Sequence, residues 1–371
     1  MAKPVREVPP FLPYACPVTP AELSRTVRHA VCRAVEDGAL RVEAPESIDS
    51  VKIERPRPGG RGDYATGIAL RLARQAGRPA ADVAAELGRR IAAAPGIEAV
   101  DVTGPGFLNI TLAPDNQQQL VREVLERGGK YGWTELTGQV AQPTYRADVR
   151  AAVTADTLRR ILLSQGTLCR TFCEGTADPV WADLGVRIEA EEARGRLRTD
   201  VMPVPAEEDG AALLRRLGAD AARWGLLAAA AHDRPRTEGR DGRLLLVQHE
   251  RNPLFRVRYA HSRAHALTRH AAQLGFTAAP DRQVDAPALT AAIGDHPAVL
   301  ADAARLRAPD RLVRHLEVTA DALLSFQHSV LPVGDEKPSA AHRARLALAE
   351  AAGTVLAGGL SLLGISAPEH L

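Results

Sequence analysis

The chain has 371 residues, of which 45% are hydrophobic, 25% charged and only 4% aromatic, and its formal net charge at pH 7 is +2. This composition is typical of a soluble globular protein and excludes wholesale disorder, while the length predicts two or three domains. Because the net charge is so small, it does not by itself indicate nucleic-acid binding, and any polyanion site must be a local patch.

Several kinds of site are expected to be absent. No apolar run approaches the roughly 18 to 20 residues of a membrane helix, and the proline-rich first 17 residues lack the continuous apolar core of a signal peptide. The four cysteines have too few ligand-type neighbours for a zinc site, since no histidine lies between His29 and His232. We therefore expect a cytoplasmic protein with no metal, no cofactor and no membrane contact.

An α+β module is predicted for residues 19–115, after a flexible extension at 1–18. Its first helix begins well, because Thr19 precedes Pro20, a suitable first helical residue. Apolar spacing, prolines and glycines predict the elements in this order: helix 19–36, strand 51–55, loop 57–63, a helix around 68–73, helix 81–94, strand 99–103, a tight turn at 104–106 and strand 107–112.

Residues 116–205 show no repeating strand–helix units long enough for a doubly wound nucleotide-binding domain. A helix is predicted over 157–163, and the charged run 189–198 is expected to be a solvated surface. Asp148 and Asp156 are expected at the surface. Prolines and acids near 203–209 indicate a linker.

An all-α bundle is predicted for residues 206–371, because helical spacing of apolar residues continues almost to the end. Gly364 supplies a C-terminal stop. The predicted helices are 211–227, 253–274, 286–293, 296–306, 309–330 and 338–363.

The helix at 253–274 is the most informative element of the bundle. Between residues 251 and 275 there are five arginines, three histidines and no acid. Its predicted apolar stripe consists of Val257, Ala260, Ala264, Leu267, Ala271 and Leu274. Opposite this stripe lie Arg258, Ser262, His265 and Arg269, with Tyr259 beside them. Guanidinium groups beside an aromatic ring suit RNA binding, but a basic solvated helix in an arginine-rich chain would have the same pattern.

The turn at residues 104–109 is the second informative element. Phe107 and Asn109 alternate along the predicted strand, so both side chains point to one face. An exposed aromatic ring and an amide can stack on and hydrogen-bond an unpaired base, whereas an isolated Phe is more commonly a core residue. The arginines and glycines of residues 55–61 could contact phosphate. The sequence has no phosphate-binding loop, nucleophile elbow or dinucleotide fingerprint.

Three segments of the module resemble the N-terminal additional domain of arginyl-tRNA synthetases: residues 54–56 (Glu-Arg-Pro), 62–66 (Gly-Asp-Tyr-Ala-Thr) and 104–110 (Gly-Pro-Gly-Phe-Leu-Asn-Ile). Four segments of the bundle resemble the DALR-type anticodon-binding domain of the same family: residues 218–224 (Gly-Ala-Asp-Ala-Ala-Arg-Trp), 252–255 (Asn-Pro-Leu-Phe), 259–263 (Tyr-Ala-His-Ser-Arg) and 362–368 (Leu-Leu-Gly-Ile-Ser-Ala-Pro). The matches keep the family's order over about residues 19–140 and 206–371.

The catalytic motifs of that family are missing. Its HIGH histidines stabilise the phosphate of the adenylation transition state, and its KMSKS lysines neutralise pyrophosphate. Residues 145–150 stand where the HIGH motif should be and contain no histidine, while residues 199–203 (Thr-Asp-Val-Met-Pro) stand at the KMSKS position. No lysine lies between Lys130 and Lys337. Asp148, in the place of a catalytic histidine, would repel phosphate, so no catalytic residues are assigned.

The resemblance implies two tRNA contacts. An aromatic ring and an amide of the N-terminal domain recognise a D-loop base in the family, which implies roles for Phe107 and Asn109, with Tyr64 added from the same motif. The anticodon contact falls on the basic helix and implies roles for Arg258, Tyr259, Arg263, His265 and Arg269. Leu371 stands where the family often ends in a methionine near the anticodon.

The sequence is thus interpreted as a truncated arginyl-tRNA synthetase paralogue, with residues 116–205 as a linker and catalytic remnant. It is expected to bind tRNA, in particular tRNA-Arg, by its elbow and anticodon arm without aminoacylating it. Two alternatives stay open: an active arginine–tRNA ligase, and a protein-interaction partner of a full-length synthetase or a tRNA-dependent biosynthetic enzyme.

Overall fold

The computed structural model describes residues 17–42, 51–56, 61–189 and 200–371. The described chain forms two compact units, which divide between Leu120 and Val121. Most of the predicted extension at 1–18, most of the charged run at 189–198, part of the loop at 57–63, and Thr199 lie outside the described residues.

The first unit is a three-stranded antiparallel sheet with helices. The sheet order is β1-β3-β2, so the central strand is the last of the three in sequence. The elements are α1 (Pro20–Glu36), β1 (Tyr64–Thr66), α2 (Ile68–Ala76), α3 (Ala80–Ala92), β2 (Ile97–Thr103) and β3 (Phe107–Leu112), followed by α4 (Asn116–Arg127) at the boundary between the units.

Helix α1 shows how the sequence determines this unit. The Thr19 hydroxyl accepts a hydrogen bond from the Glu22 backbone N–H, and Pro20 occupies the first turn, where its missing N–H costs nothing. The buried residues of α1 are those of the predicted apolar stripe: Leu23, Val27, Ala30, Val31 and Ala34. They join Leu108 and Ile110 of the central strand in one core.

The turn between β2 and β3 depends on Gly106. Its φ is 138°, and a Cβ there would lie 2.9 Å from the carbonyl oxygen of Ala80. A larger residue would therefore clash with the start of α3 and misplace Phe107.

The second unit begins with a small parallel β-structure around one helix. Strands β4 (Val140–Ala141) and β5 (Thr144–Arg146) precede α5 (Val149–Ser164), and β6 (Leu168–Cys169) and β7 (Phe172–Glu174) follow it. Val140 pairs with Leu168 and Thr144 with Phe172, both in parallel register. This is a single strand–helix–strand unit, to which Val201 adds a parallel bridge at Tyr145.

The rest of the second unit is helical. Its elements are α6 (Gly210–Leu227), α7 (Gly239–Leu244), α8 (Pro253–Gln273), α9 (Pro287–Arg305), α10 (Asp310–Phe326) and α11 (Ala340–Leu363). Gly218 interrupts α6 with φ 75° and ψ 169°, which only glycine adopts readily. Gly364 ends α11 in the left-handed region, as the sequence predicts.

A buried ion pair joins α5 to the helical bundle. Arg223 of α6 donates to Asp156 Oδ2 on α5 at 2.9 Å, and both side chains are fully buried. Arg223 also donates to the carbonyls of Leu184 and Leu363. Burial would raise the pKa of Asp156, but the guanidinium groups of Arg223 and its neighbours lower that pKa below its usual range.

Arg150 makes a second connection between the same two helices. Its buried guanidinium donates to carbonyls at and beyond the end of α6: Leu226, Ala229, Ala230 and Asp233, as well as to Val204. A cation near a helix C-terminus satisfies carbonyls that have no partner within the helix.

Several sequence predictions about secondary structure are corrected. Residues 51–55 form only one β-bridge, between Glu54 and Ala65, because β1 is too short to pair further. The helices predicted at 286–293 and 296–306 are one helix, α9, which contains Pro297. Leu274, predicted in the buried stripe, is the exposed C-cap of α8. The sequence patterns did not predict β1, α4 or α7.

Two further predictions, on the exposure of Asp156 and on the length of apolar runs, are corrected. Asp156 is fully buried, because it forms an ion pair with the buried Arg223. Contrary to the expected absence of long apolar runs, α11 is long and apolar enough to cross a membrane by length and composition. In the most apolar 18-residue stretch of this helix, 78% is buried inside the second unit. A core helix meets the same criteria.

Asp156→Ala should lower the free energy of unfolding by about 3–5 kcal/mol, because it leaves the Arg223 charge buried without a counter-ion. Chemical denaturation measures this change. Asp183→Ala is the control, since Asp183 is exposed. Equal stability of the two variants would contradict the role given to the pair.

Candidate nucleic-acid interface

Among the residues that the structure describes in the first unit, Phe107 is the most exposed aromatic. It begins β3 opposite Thr103, and 45% of its surface is accessible. Its ring lies beside Gly67, where a Cβ would come within 3.4 Å of it. The alternative that Phe107 is a core residue is therefore wrong, and its ring is available for stacking on a base.

Asn109 lies next to Phe107 on the same face of β3, but it is buried. Its Nδ2 donates to Thr103 Oγ1 at 2.6 Å. The amide is thus held within the sheet, across from Asp101 on β2. A base stacked on Phe107 would have to compete for this hydrogen bond to contact the Asn109 amide nitrogen.

Tyr64 does not join that pair. It is buried and lies opposite Ile110 in the β1–β3 ladder, so its side chain belongs to the core face of the sheet. The Arg55 guanidinium lies 5.2 Å from the Tyr64 ring centre and donates to its hydroxyl at 3.4 Å. The prediction that Tyr64 contacts RNA beside Phe107 is corrected, because its place in the register puts it on the other face.

In the second unit, α8 presents an aromatic pair at its N-terminal end. Asn252 caps the helix by accepting from the Phe255 N–H, and Pro253 fills the first turn. One turn apart, the rings of Phe255 and Tyr259 stack with centres 5.8 Å apart and an interplanar angle of 12°. Tyr259 is 38% exposed, so a flat surface faces outward here.

Two of the predicted arginines on α8 already have partners. Arg258 pairs with Asp220 at 3.6 Å and donates to Ser366 Oγ at 3.1 Å. Arg263 donates to Gln327 Oε1 at 2.8 Å. Arg269 is exposed, and within the described residues it has no hydrogen bond or ion pair.

The C-terminal tail covers part of the face that the sequence assigns to RNA. Ser262 donates to the carbonyl of Glu369, and His261 Nδ1 lies 3.0 Å from the carbonyl of Pro368. His265 is half-buried, and its Nε2 lies 3.2 Å from His261 Nε2. The sequence predicts a basic face of α8 that lies opposite its apolar face. The structure places Ser366 to Glu369 against part of this basic face.

An open groove of about 430 Å³ lies beside Arg258, within the range typical of ligand pockets. Its walls are the break in α6 at Gly218, residues 245–248 just after α7, and the start of α8. Leu371 also lines the groove. Its lining combines apolar Leu246 and Val247 with polar Asp220, Gln248 and Asn252. Sequence reasoning missed this groove, although Gly218 within an otherwise helical pattern was a signal for a break.

Asp148 is the N-cap of α5, within the segment predicted to be a linker and catalytic remnant. Its Oδ1 accepts from the Ala151 N–H at 3.0 Å. Burial raises the pKa of Asp148, although that hydrogen bond and the nearby Arg150 oppose the rise. A helix N-terminus attracts anions, but here a carboxylate of the chain itself fills that position.

Two family descriptions match the chain. Residues 21–112 match the "Arginyl tRNA synthetase N terminal domain", and residues 257–371 match the "DALR anticodon binding domain". The "Arginine--tRNA ligase" of Frankia alni is 27% identical over an alignment of 564 residues, which covers 95% of this chain and all of that relative. The chain belongs to the arginyl-tRNA synthetase family.

Other members and solved structures agree with this assignment. The "Arginine--tRNA ligase" of Kineococcus radiotolerans is 35% identical over 204 residues, which are 52% of this chain and 35% of that protein. The structure of Thermus thermophilus arginyl-tRNA synthetase has a TM-score of 0.70 at 14% identity, covering 94% of this chain and all of that one. The enzyme from Plasmodium falciparum has a TM-score of 0.63 at 10% identity, covering 94% and 99% of the two chains. At these identities the structures support the fold alone.

The alignment with the Frankia alni relative also shows that this chain is much shorter than that relative. It spans 564 positions, whereas the chain has only 371 residues. About a third of the aligned positions therefore have no residue in this chain.

Arg258→Ala should lower the free energy of unfolding by about 1 kcal/mol, because the half-buried Asp220 loses its charged partner and the exposed Ser366 loses a hydrogen-bond donor. Arg269→Ala should change it by less than about 0.5 kcal/mol, because Arg269 is exposed and unpaired among the described residues. Urea unfolding of both variants measures the difference. Coincident unfolding curves would show that Arg258 does not hold the tail.

Proposed function

We propose that this synthetase-family member binds tRNA, in particular tRNA-Arg, through its N-terminal domain and its anticodon-binding domain, and does not aminoacylate it. The proposed location is the cytoplasm. The observation that carries the proposal is the combination of two RNA-type surfaces with a catalytic region that lacks the groups for adenylation.

The first support is the chemistry of the two surfaces. Phe107 offers an exposed ring in the N-terminal unit, and Tyr259 offers another on α8. Base stacking on an aromatic side chain contributes about 1–3 kcal/mol. Beside Tyr259, the groove around Arg258 combines apolar walls with amide and charged groups, which suits an unstacked base.

The second support comes from the catalytic region. No histidine lies between His29 and His232, and no lysine lies between Lys130 and Lys337, so neither a HIGH nor a KMSKS motif can be formed there. The N-cap of α5 is Asp148, whose carboxylate repels phosphate, and the guanidinium of Arg150 is buried and bonded to backbone carbonyls. Electrostatic stabilisation of the adenylation transition state would therefore lack its usual donors.

The binding prediction concerns two exposed residues. Purified protein should bind tRNA-Arg more tightly than an unrelated tRNA, and added salt should weaken binding. Phe107→Ala should weaken binding by about 5- to 100-fold through lost stacking. Arg269→Ala should reduce the salt dependence by about one ion, as expected for a phosphate contact. Titrations at two salt concentrations measure both effects.

Val333→Ala is the matched control, because Val333 is a highly exposed apolar residue outside both surfaces. Equal, weak binding of both tRNAs would refute recognition of tRNA-Arg. Unchanged affinity of Phe107→Ala would refute the role of the N-terminal surface.

The second candidate function is arginine–tRNA ligase activity. It is favoured by the match over the whole length of relatives that carry this name. We expect no arginine-dependent exchange of pyrophosphate into ATP by the purified protein, with an active full-length synthetase as positive control. Arginine-dependent exchange above the blank would overturn the proposal and establish the ligase.

A third candidate, a protein partner, rests on an exposed aliphatic patch in the remnant. Val140 and Leu168 are strand partners with 64% and 47% of their surfaces accessible, and nearby Leu136 is 65% accessible. Such a patch is typical of an interaction surface. A complex with a full-length synthetase or a tRNA-dependent enzyme that survives ribonuclease would favour this candidate if no tRNA binds.

A further inference from the structure

Two histidines on α8 have their Nε2 atoms facing each other. His261 and His265 are one turn apart, and their Nε2 atoms lie 3.2 Å apart. Histidines at this spacing on one helix face are a recurring arrangement for binding a metal ion. The family resemblance predicts an RNA contact for His265 and no metal site for the pair.

The distance between the nitrogens fits a shared ion. Two Zn–N bonds of about 2.0–2.1 Å at a near-tetrahedral angle place the nitrogens about 3.3 Å apart. The ring centres are 4.6 Å apart with an interplanar angle of 64°. A head-on N–H···N hydrogen bond would separate the centres by about 5 Å or more. The two rings therefore meet at an angle rather than head-on, and the Nε2–Nε2 distance is the part of this geometry that fits a shared ion.

The other nitrogen of His261 is held in the way that a metal ligand requires. Its Nδ1 lies 3.0 Å from the carbonyl oxygen of Pro368, so Nδ1 carries the proton and Nε2 keeps its lone pair. Metal-binding histidines commonly donate their second N–H to a carbonyl in this manner, which fixes the ring orientation.

We propose that His261 and His265 form a two-histidine site for a divalent transition-metal ion of the zinc class, bound through both Nε2 atoms. On binding, the proton between the two nitrogens leaves Nε2 of His265, and Nδ1 of that ring takes up a proton from water. Both imidazoles stay neutral, so no net charge is lost from the protein. Water completes the coordination.

Two acidic groups lie near the pair. Glu369 acts electrostatically on His261, and Glu350 interacts electrostatically with His265. Glu350 accepts a hydrogen bond from the Thr268 hydroxyl at 2.9 Å. Negative charge near the rings favours a cation between them. Among the described residues, no set of three or more His, Cys, Asp or Glu has metal-holding geometry, so the protein supplies two ligands.

A calorimetric titration of the full chain with Zn²⁺ alone tests the site. The visible absorption of bound Co²⁺ reports on the ligands. We expect one ion per chain and a loss of affinity of about 10-fold or more in His265→Gln. Affinity should also fall as the pH is lowered, because protonated imidazole cannot bind a metal.

His270→Gln is the matched control, because His270 is an exposed histidine on the same helix. It should bind Zn²⁺ like the unchanged chain, and circular dichroism should show that both variants are folded. Equal losses in His265→Gln and His270→Gln, or no binding by the unchanged chain, would overturn the proposal. These outcomes are independent of tRNA binding, which is measured without metal.

Discussion

The buried guanidinium of Arg223 is the group on which the second unit depends. It connects α5 through Asp156 and Thr157, the segment after β7 through the Leu184 carbonyl, and the end of α11 through the Leu363 carbonyl. Four parts of the chain therefore meet at one charge. Gly364 must follow directly, because a Cβ there would lie 2.5 Å from Arg223 Nη2. The C-terminal stop of α11 is thus fixed by space as well as by its left-handed backbone.

This constraint also ties α5 to the bundle. A bundle that keeps Arg223 must also keep its counter-ion, since a buried charge without a partner is strongly destabilising. The counter-ion is on α5, and Arg150 of the same helix satisfies the carbonyls at the end of α6. Strands β5 and β6 pack against α5. The packing of the bundle therefore depends on α5 through two buried guanidinium groups.

The parts of the fold that follow from local pattern could be predicted from the sequence. The stripe from Leu23 to Ala34 places α1 in the core, and Gly364 ends α11. Asp156 was misplaced because its partner is 67 residues away, and nothing in the local pattern marks it. Tyr64 was predicted as an RNA contact from the resemblance alone, whereas its register against β3, which the local sequence does not set, places it on the core face.

The same limit applies to the candidate site. The sequence located α8 and its aromatic and basic residues, but it could not show which charges were already neutralised. The groove also escaped prediction, because its walls come from α6, the α7 region and the chain end, which are distant in sequence. The His261–His265 pair was visible as a spacing, but only the tail carbonyl of Pro368 orients His261.

The ion pairs on α8 decide what kind of RNA contact this face can make. Of the five arginines between residues 251 and 275, Arg256 pairs with Asp321 and Arg258 with Asp220, while Arg263 is hydrogen-bonded to Gln327. A cation that is already paired releases fewer counter-ions when it meets a phosphate. The count of arginines in the sequence therefore overstates the electrostatic attraction of this helix. In the proposed complex, stacking on Tyr259 and the shape of the groove would supply more of the binding energy, and such contacts distinguish one unpaired base from another better than charge does.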